Sequence, residues 1–201
     1  MQVKQQMTRK LITISPETSI LKAIRIMRRH SIRHLPVVEG EIFVGWVTEG
    51  DLREASLLSM VDKVTIEDVM IKSPITILPE APIEEAAKLV FRHKIGGLPV
   101  VRGQRLVGIL TVVDLLTYFI RLHGILQKSS RIDLILGDKP DALEGVYRVF
   151  RRHRAEVISL GMSNHKDPKK RVYRFRLRKI PVDPIADSLK KRGHKILSLE
   201  S

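Results

Sequence analysis

The sequence of 201 residues contains no cysteine, so disulfides, thiolate metal ligands and cysteine nucleophiles are excluded. Long apolar runs are missing too. The longest, Leu106 to Val113, is far too short to span a bilayer and ends at Asp114. The start, MQVKQQMTRK, is polar and basic with no apolar segment behind it, which argues against a secretory signal. Common catalytic signatures are also absent: there is no G-x-x-x-x-G-K-[ST], no G-x-G-x-x-G and no H-E-x-x-H. The seven histidines are scattered, and His30 and His93 fall at helix ends, where capping is the simpler role. These absences predict a cytoplasmic, non-catalytic protein with no membrane segment and no metal centre. A Ser/His/Asp group assembled by the fold stays open, although no residues point to one.

What the chain does contain is written twice. GWVTEGD, residues 45–51, returns as GILTVVD at 108–114, a shift of 63 positions. The same shift superposes Thr13-Ile14 on Thr76-Ile77, Pro16-Glu17 on Pro79-Glu80, and Leu35-Pro36-Val37-Val38 on Leu98-Pro99-Val100-Val101. Over positions 7–52 there are 21 identities and no insertion. This is a tandem duplication.

Each copy reads as strand, helix, strand, strand, helix. LITIS is a short β-rich run stopped by Pro16. Behind it Ile20, Ala23, Ile24 and Met27 recur at helical spacing, with Thr18 or Ser19 as the N-cap. Pro82 sits near the first turn of the matching helix, where proline is tolerated. LPVV and FVGWV read as buried strands joined at Glu39-Gly40, matched by LPVV and LVGIL around Arg102-Gly103. One unit has too little core to stand alone, so the two are expected to pack together. SLLSMVDKVTIEDVM between them reads as a linker, with Thr65 and Asp68 at capping-box spacing.

The repeated T-x-x-D supports two readings. A threonine at an N-cap and an acidic residue three on form a capping box and need no ligand. A helix N-terminus also suits phosphate; the threonine hydroxyl can donate to a phosphate oxygen, and the aspartate can accept from ribose hydroxyls.

Taken together, Thr13 to Pro16, Ile32 to Val38 and Gly45 to Asp51, with their second-copy equivalents, resemble the CBS domain. Two adjacent copies over roughly residues 5–122 look like a CBS pair. The resemblance implies regulatory binding of an adenosine-containing ligand: AMP, ADP or ATP, with S-adenosylmethionine or NAD behind them. It implies two clefts, each built from both repeats. One would place Ile12, Ile32, Arg33, His34 and Pro36 with Thr111 and Asp114. The other would place Ile75, Ile95, Gly96, Gly97 and Pro99 with Thr48 and Asp51.

The copies differ at one telling point: Arg33 and His34 stand where the second copy has Gly96 and Gly97. Arginine offers a planar fork suited to phosphate, whereas glycine offers only close backbone approach. The Arg33 cleft is therefore the predicted phosphate site. The alternative is a solvated Arg33 and a His34 that merely packs. Lys10 and Lys72 are further phosphate candidates.

The net charge of +14 is concentrated at the end: residues 131–201 hold 18 Lys+Arg against 9 Asp+Glu. There RIDLILG, EVISLGM, RVYRFRLRK and HKILSLE read as strands, with helices from Pro140 to Arg152 and over VDPIADSLKKRG. The order βαββαβ is ferredoxin-like. The segment resembles an ACT domain, whose Asp-x-Pro-Gly-x-Leu loop here reads Asp138-Lys139-Pro140-Asp141-Ala142-Leu143. Asp141 in place of glycine adds bulk and negative charge where an amino-acid carboxylate would approach, which leaves amino-acid binding open. CBS–CBS–ACT at this length resembles the acetoin-utilisation accessory proteins.

In RVYRFRLRK, Tyr173, Phe175 and Leu177 alternate with Arg174, Arg176 and Arg178, a strand with one buried face. The arginines read as a solvated face, as a polyanion face for nucleic acid, or as a surface for an acidic partner protein. The fold class predicted is α+β: a CBS-domain pair of duplicated β-α-β-β-α units (1–62 with linker, 63–128), then an ACT-like domain (129–201). The predicted function is a homodimeric nucleotide sensor, with a nucleic-acid regulator and a purely structural dimerisation module as rivals.

Overall fold

The computed structural model describes residues 1–57 and 64–201. The part of the expected linker at 58–63 lies outside the described residues. By its contacts the chain forms two compact units, Met1–Leu116 and Thr117–Ser201.

In the first unit each repeat builds one helix, a hairpin and a second helix. Helix α1 (Ile20–His30) starts at Ser19, whose hydroxyl accepts from Lys22 N–H, and ends at Ser31 in a left-handed conformation, φ 52°. It buries Ile20, Ala23 and Met27. The hairpin β1 (His34–Glu39) and β2 (Ile42–Thr48) turns through Gly40 at φ 61°, a conformation glycine adopts without strain. Helix α2 (Glu49–Ala55) follows, and then the single turn α3 (Ile66–Val69) inside the expected linker.

The second copy repeats this with α4 (Ile83–His93), ending at Lys94 with φ 53°, β3 (Gly97–Arg102), β4 (Arg105–Thr111) and α5 (Val112–Leu122). The turn glycine is Gly103, φ 60°. Both hairpins carry a bulge at the same place, Val37/Val38 and Val100/Val101. One pair, Ile42↔Arg105, joins them into a single antiparallel sheet, β1-β2-β4-β3.

The expected leading strands are corrected to single bridges. Ile14 pairs only with Val37, and Ile77 only with Val100. Pro16 and Pro79, two residues on, have no N–H to extend a ladder. The leading segments instead cross between repeats: Thr8 bridges Ile109, and Ile71 bridges Trp46. This crossing explains the repeated glycine of the opening motif. A Cβ on Gly108 would collide with the Met7 thioether, and one on Gly45 with that of Met70.

The second unit holds β5 (Ser129–Ile135), α6 (Ala142–Arg152), β6 (Val157–Asn164), β7 (Arg171–Arg178), α7 (Asp183–Lys190) and β8 (Lys195–Glu200). Its antiparallel order, β6-β7-β5-β8, is that of a ferredoxin-like split βαβ. Phe175 of β7 is fully buried, edge-on to Phe150 of α6 at 5.0 Å. The division at Leu116/Thr117 falls inside α5, ahead of residue 129. The turn after α5 belongs with this sheet: Ser159 Oγ donates to His123 O at 3.0 Å.

Candidate functional site

Two of the cavities in the first unit draw on both repeats. The first, of about 310 Å³, is lined by Lys10, Ile12, Ile32, Arg33 and His34 from the first copy and by Gly96, Ile109 and Thr111 from the second. The other, of about 440 Å³, is lined by Ile75, Ile95, Gly96, Gly97 and Pro99 from the second copy and by His34, Trp46 and Thr48 from the first. Most of the residues singled out from sequence are thus brought together. Pro36 is buried within β1 and does not reach the first cavity. Asp51 and Asp114 stand behind the walls, bonded to the threonines that do line them.

Those bonds settle how capping and an open site combine. Asp114 Oδ2 accepts from Thr111 N–H at 2.8 Å and from the Thr111 hydroxyl at 2.7 Å, while Asp114 N–H donates back to that hydroxyl at 3.3 Å. Asp51 and Thr48 repeat the pattern at 2.8, 2.8 and 3.3 Å. Both motifs are capping boxes. The hydroxyl donates to the carboxylate here, so donation to a phosphate requires exchanging that bond. Both carboxylates use only Oδ2, and Oδ1 accepts no hydrogen bond among the described residues.

His34 lines both cavities and forms the wall between them. Its ring stacks on Trp46 with centroids 5.5 Å apart and planes at 28°. Gly96 and Gly97 make room for it, since a Cβ on Gly96 would lie 2.8 Å from His34 Nε2. Burial holds the ring below the ordinary histidine range; Arg33 pushes the same way and Asp51 partly opposes.

The cations are unequal. The first cavity has Lys10 and Arg33; the second has Lys94, with Ser73 at the position of Lys10. Sequence reasoning missed Lys94 and Trp46. Lys94 is the repeat partner of Ser31, and both sit at left-handed helix ends facing a cavity. Lys72, by contrast, lines neither cavity and approaches Glu67 at 4.0 Å.

The arginine row of β7 is engaged with its own sheet. Arg174 Nε donates to Asp133 at 3.1 Å, Arg176 to Ser129 Oγ at 2.7 Å and Arg178 to Glu156 at 3.2 Å. Among the described residues no cluster of three or more acidic or histidine side chains could hold a metal. No helix there is long and apolar enough to cross a membrane.

A duplicated hairpin-and-helix unit enclosing two cross-built cavities defines a paired-repeat binding module. The family model for the CBS domain matches residues 2–58 and 66–121, and the chain belongs to that family as a tandem pair. The chain is 43% identical over 107 residues to inosine-5'-monophosphate dehydrogenase of Korarchaeum cryptofilum; this is 53% of the chain but only 22% of that enzyme. Among solved structures it is similar to an acetoin utilization protein, AcuB, of Vibrio cholerae, with 32% identity and a TM-score of 0.58, covering 64% of this chain and 97% of that one. CBSX2 in complex with AMP aligns with 28% identity and a TM-score of 0.55, covering 60% and 96% of the two chains. The CBS domain pair of MJ0100, in complex with methylthioadenosine and S-adenosylmethionine, aligns with 33% identity and a TM-score of 0.55, covering 59% and 95%.

Proposed function

We propose that this protein is a non-catalytic cytoplasmic sensor whose CBS pair binds an adenine nucleotide, AMP, ADP or ATP ahead of S-adenosylmethionine or NAD. The observation carrying this reading is the pair of cavities in which an apolar slot (Ile12 and Ile32, or Ile75 and Ile95) adjoins a threonine whose capping carboxylate, just behind the wall, has one oxygen without a partner among the described residues. Adenine fits the slot and its flanking backbone, and the ribose hydroxyls fit Asp114 or Asp51. Phosphates go to Lys10 and Arg33 in the first cleft, because charge-assisted bonds from a guanidinium are the strong ones. The bound AMP of CBSX2 and the bound S-adenosylmethionine of MJ0100 support the ligand class.

The repeats at 1–62 and 63–128 would act as the receptor, with the segment at 129–201 as an ACT-like reporter that engages a protein partner. Transmission requires that the nucleotide contact two states of the pair differently. A second copy of the chain would dock on the outer face of α4 and α5, where Phe91 is 87% exposed and Leu116 55%. The matching positions of the first repeat are Arg28 and Arg53, so like charge disfavours that face as a self-contact.

The test is a thermal-shift panel at fixed salt with AMP, ADP, ATP, S-adenosylmethionine, NAD and pyrophosphate. A native-state ligand at a hundred times its dissociation constant stabilises by about 2.7 kcal/mol. The expected result is a shift with an adenine nucleotide that is lost in Asp114→Ala, read against the variant's own unliganded midpoint because the cap is lost as well. No shift with any adenosine compound would return both motifs to capping alone.

A further inference from the structure

A separate cavity, of about 230 Å³, lies wholly within the second unit, at the amino end of α6. At its base is His194, only 6% exposed. Gly137 N–H donates to His194 Nδ1 at 3.2 Å. A ring nitrogen that accepts carries no proton, so the neutral ring holds its proton on Nε2. Burial, and then Arg192, favour that neutral ring. The Nε2–H finds no acceptor among the described residues, and the ring lines the cavity.

Gly145 lines the cavity beside this donor. It lies within α6, where glycine is a poor helix former, and a Cβ there would sit 3.9 Å from His194 Nε2. The helix end is uncapped by any side chain: the Asp141 carboxylate turns to Arg148 at 2.7 Å, and Arg148 also approaches Glu144 at 3.6 Å. Lys139, Lys191 and Arg192 line the same cavity, with no ion-pair partner among the described residues.

We propose that this cavity is an anion site for a phosphoryl group, either inorganic phosphate or the head of a small phosphomonoester. His194 Nε2–H donates to it, while Lys139, Lys191 and Arg192 balance its charge. A lone carboxylate fits less well, because three unpaired cations converge and Asp141 already supplies a carboxylate to Arg148. The proposal is independent of the nucleotide clefts and stands or falls separately from them.

The test is an NMR titration of the full chain at constant ionic strength, following the His194 ring nitrogens and the amides of Leu143, Glu144 and Gly145. Inorganic phosphate, glycerol phosphate, acetate and glycine are added in separate arms. Saturable shifts with phosphate or glycerol phosphate are expected, weakened at least tenfold in Lys191→Ala/Arg192→Ala and in Gly145→Ala. The alanine at 145 favours the helix, so its loss of binding should come with no loss of melting temperature. Tighter binding of glycerol phosphate would assign the remaining volume to an organic body; tighter binding of phosphate would assign the free ion. Shifts confined to Thr48 and Thr111, a response that never saturates, or glycine binding in place of phosphate would overturn the proposal.

Discussion

The two repeats keep the same skeleton and differ in what they put on it. Ile12 and Ile75, Thr48 and Thr111, and Asp51 and Asp114 occupy equivalent places with equivalent bonds. Around the clefts several positions diverge: Lys10 against Ser73, Ser31 against Lys94, Arg33 against Gly96, His34 against Gly97, and Trp46 against Ile109. These differences are coupled. The His34 ring occupies space that Gly96 and Gly97 leave empty, so the second repeat could not carry bulk at position 96 without displacing it. Duplication supplies two half-sites; steric exclusion between them forces the halves to become unlike.

The largest effect expected from this inequality concerns phosphate. Replacing Lys10 and Arg33 together by alanine should weaken ATP binding in the first cleft by ten- to a hundredfold, since a hydrogen bond to a charged group contributes roughly 1.5–3 kcal/mol. Lys94→Ala should cost the second cleft a few-fold at most. Calorimetric titration with ATP and with adenosine reads the difference, because adenosine should lose little in either variant. Equal ATP losses from the two variants would mean that the clefts are chemically alike.

A smaller effect is expected on the outer helical faces. In the first repeat that surface is polar, with Arg28, Glu49 and Arg53; in the second it is Phe91, Val112 and Leu116. Phe91→Arg/Leu116→Arg gives the second repeat the residues of the first. Self-association measured by sedimentation should weaken tenfold or more, about 1.4 kcal/mol. Monomer stability should move by no more than about 0.5 kcal/mol per exposed site. Arg28→Ala/Arg53→Ala should leave association unchanged. Dissociation that responds to the arginine faces instead would reverse the assignment.

What could be read from sequence, and what could not, follows one physical divide. The duplication, the turn glycines Gly40 and Gly103, the Ser19 cap, and the ferredoxin-like order of the second unit all rest on periodicity and local conformational preference. The two clefts and most of their walls came from the family resemblance. Three features stayed hidden. LITIS has strand-forming residues, yet contributes one bridge, because pairing depends on a partner edge and not on propensity alone. Lys94 enters a cleft only because a left-handed helix end redirects the chain there. His34 serves two clefts because of where a different repeat's glycines fall. Each is a tertiary fact with no local signature.

The finest distinction between the repeats is expected in acid. Burial holds His34 below its ordinary value of about 6.5, with Arg33 acting in the same direction and Asp51 against it. A group depressed in the folded state is protonated first in the unfolded chain, so its contribution is complete above the ordinary value and is lost as pH falls through the folded one. His194 moves in the same direction, through burial and Arg192. The lowered carboxyl of Asp68 acts only at lower pH, because its ordinary value already lies near 3.8. Between pH 7 and pH 5, then, the wild type should lose stability through two histidines. His34→Gly, which copies the second repeat, should be less stable at pH 7 by about 1–2 kcal/mol for the lost ring packing, yet show a shallower decline toward pH 5. Urea unfolding at the two pH values reads both numbers. An unchanged decline would mean that His34 is as readily protonated in the fold as in the open chain, and that the wall between the clefts holds a charged ring.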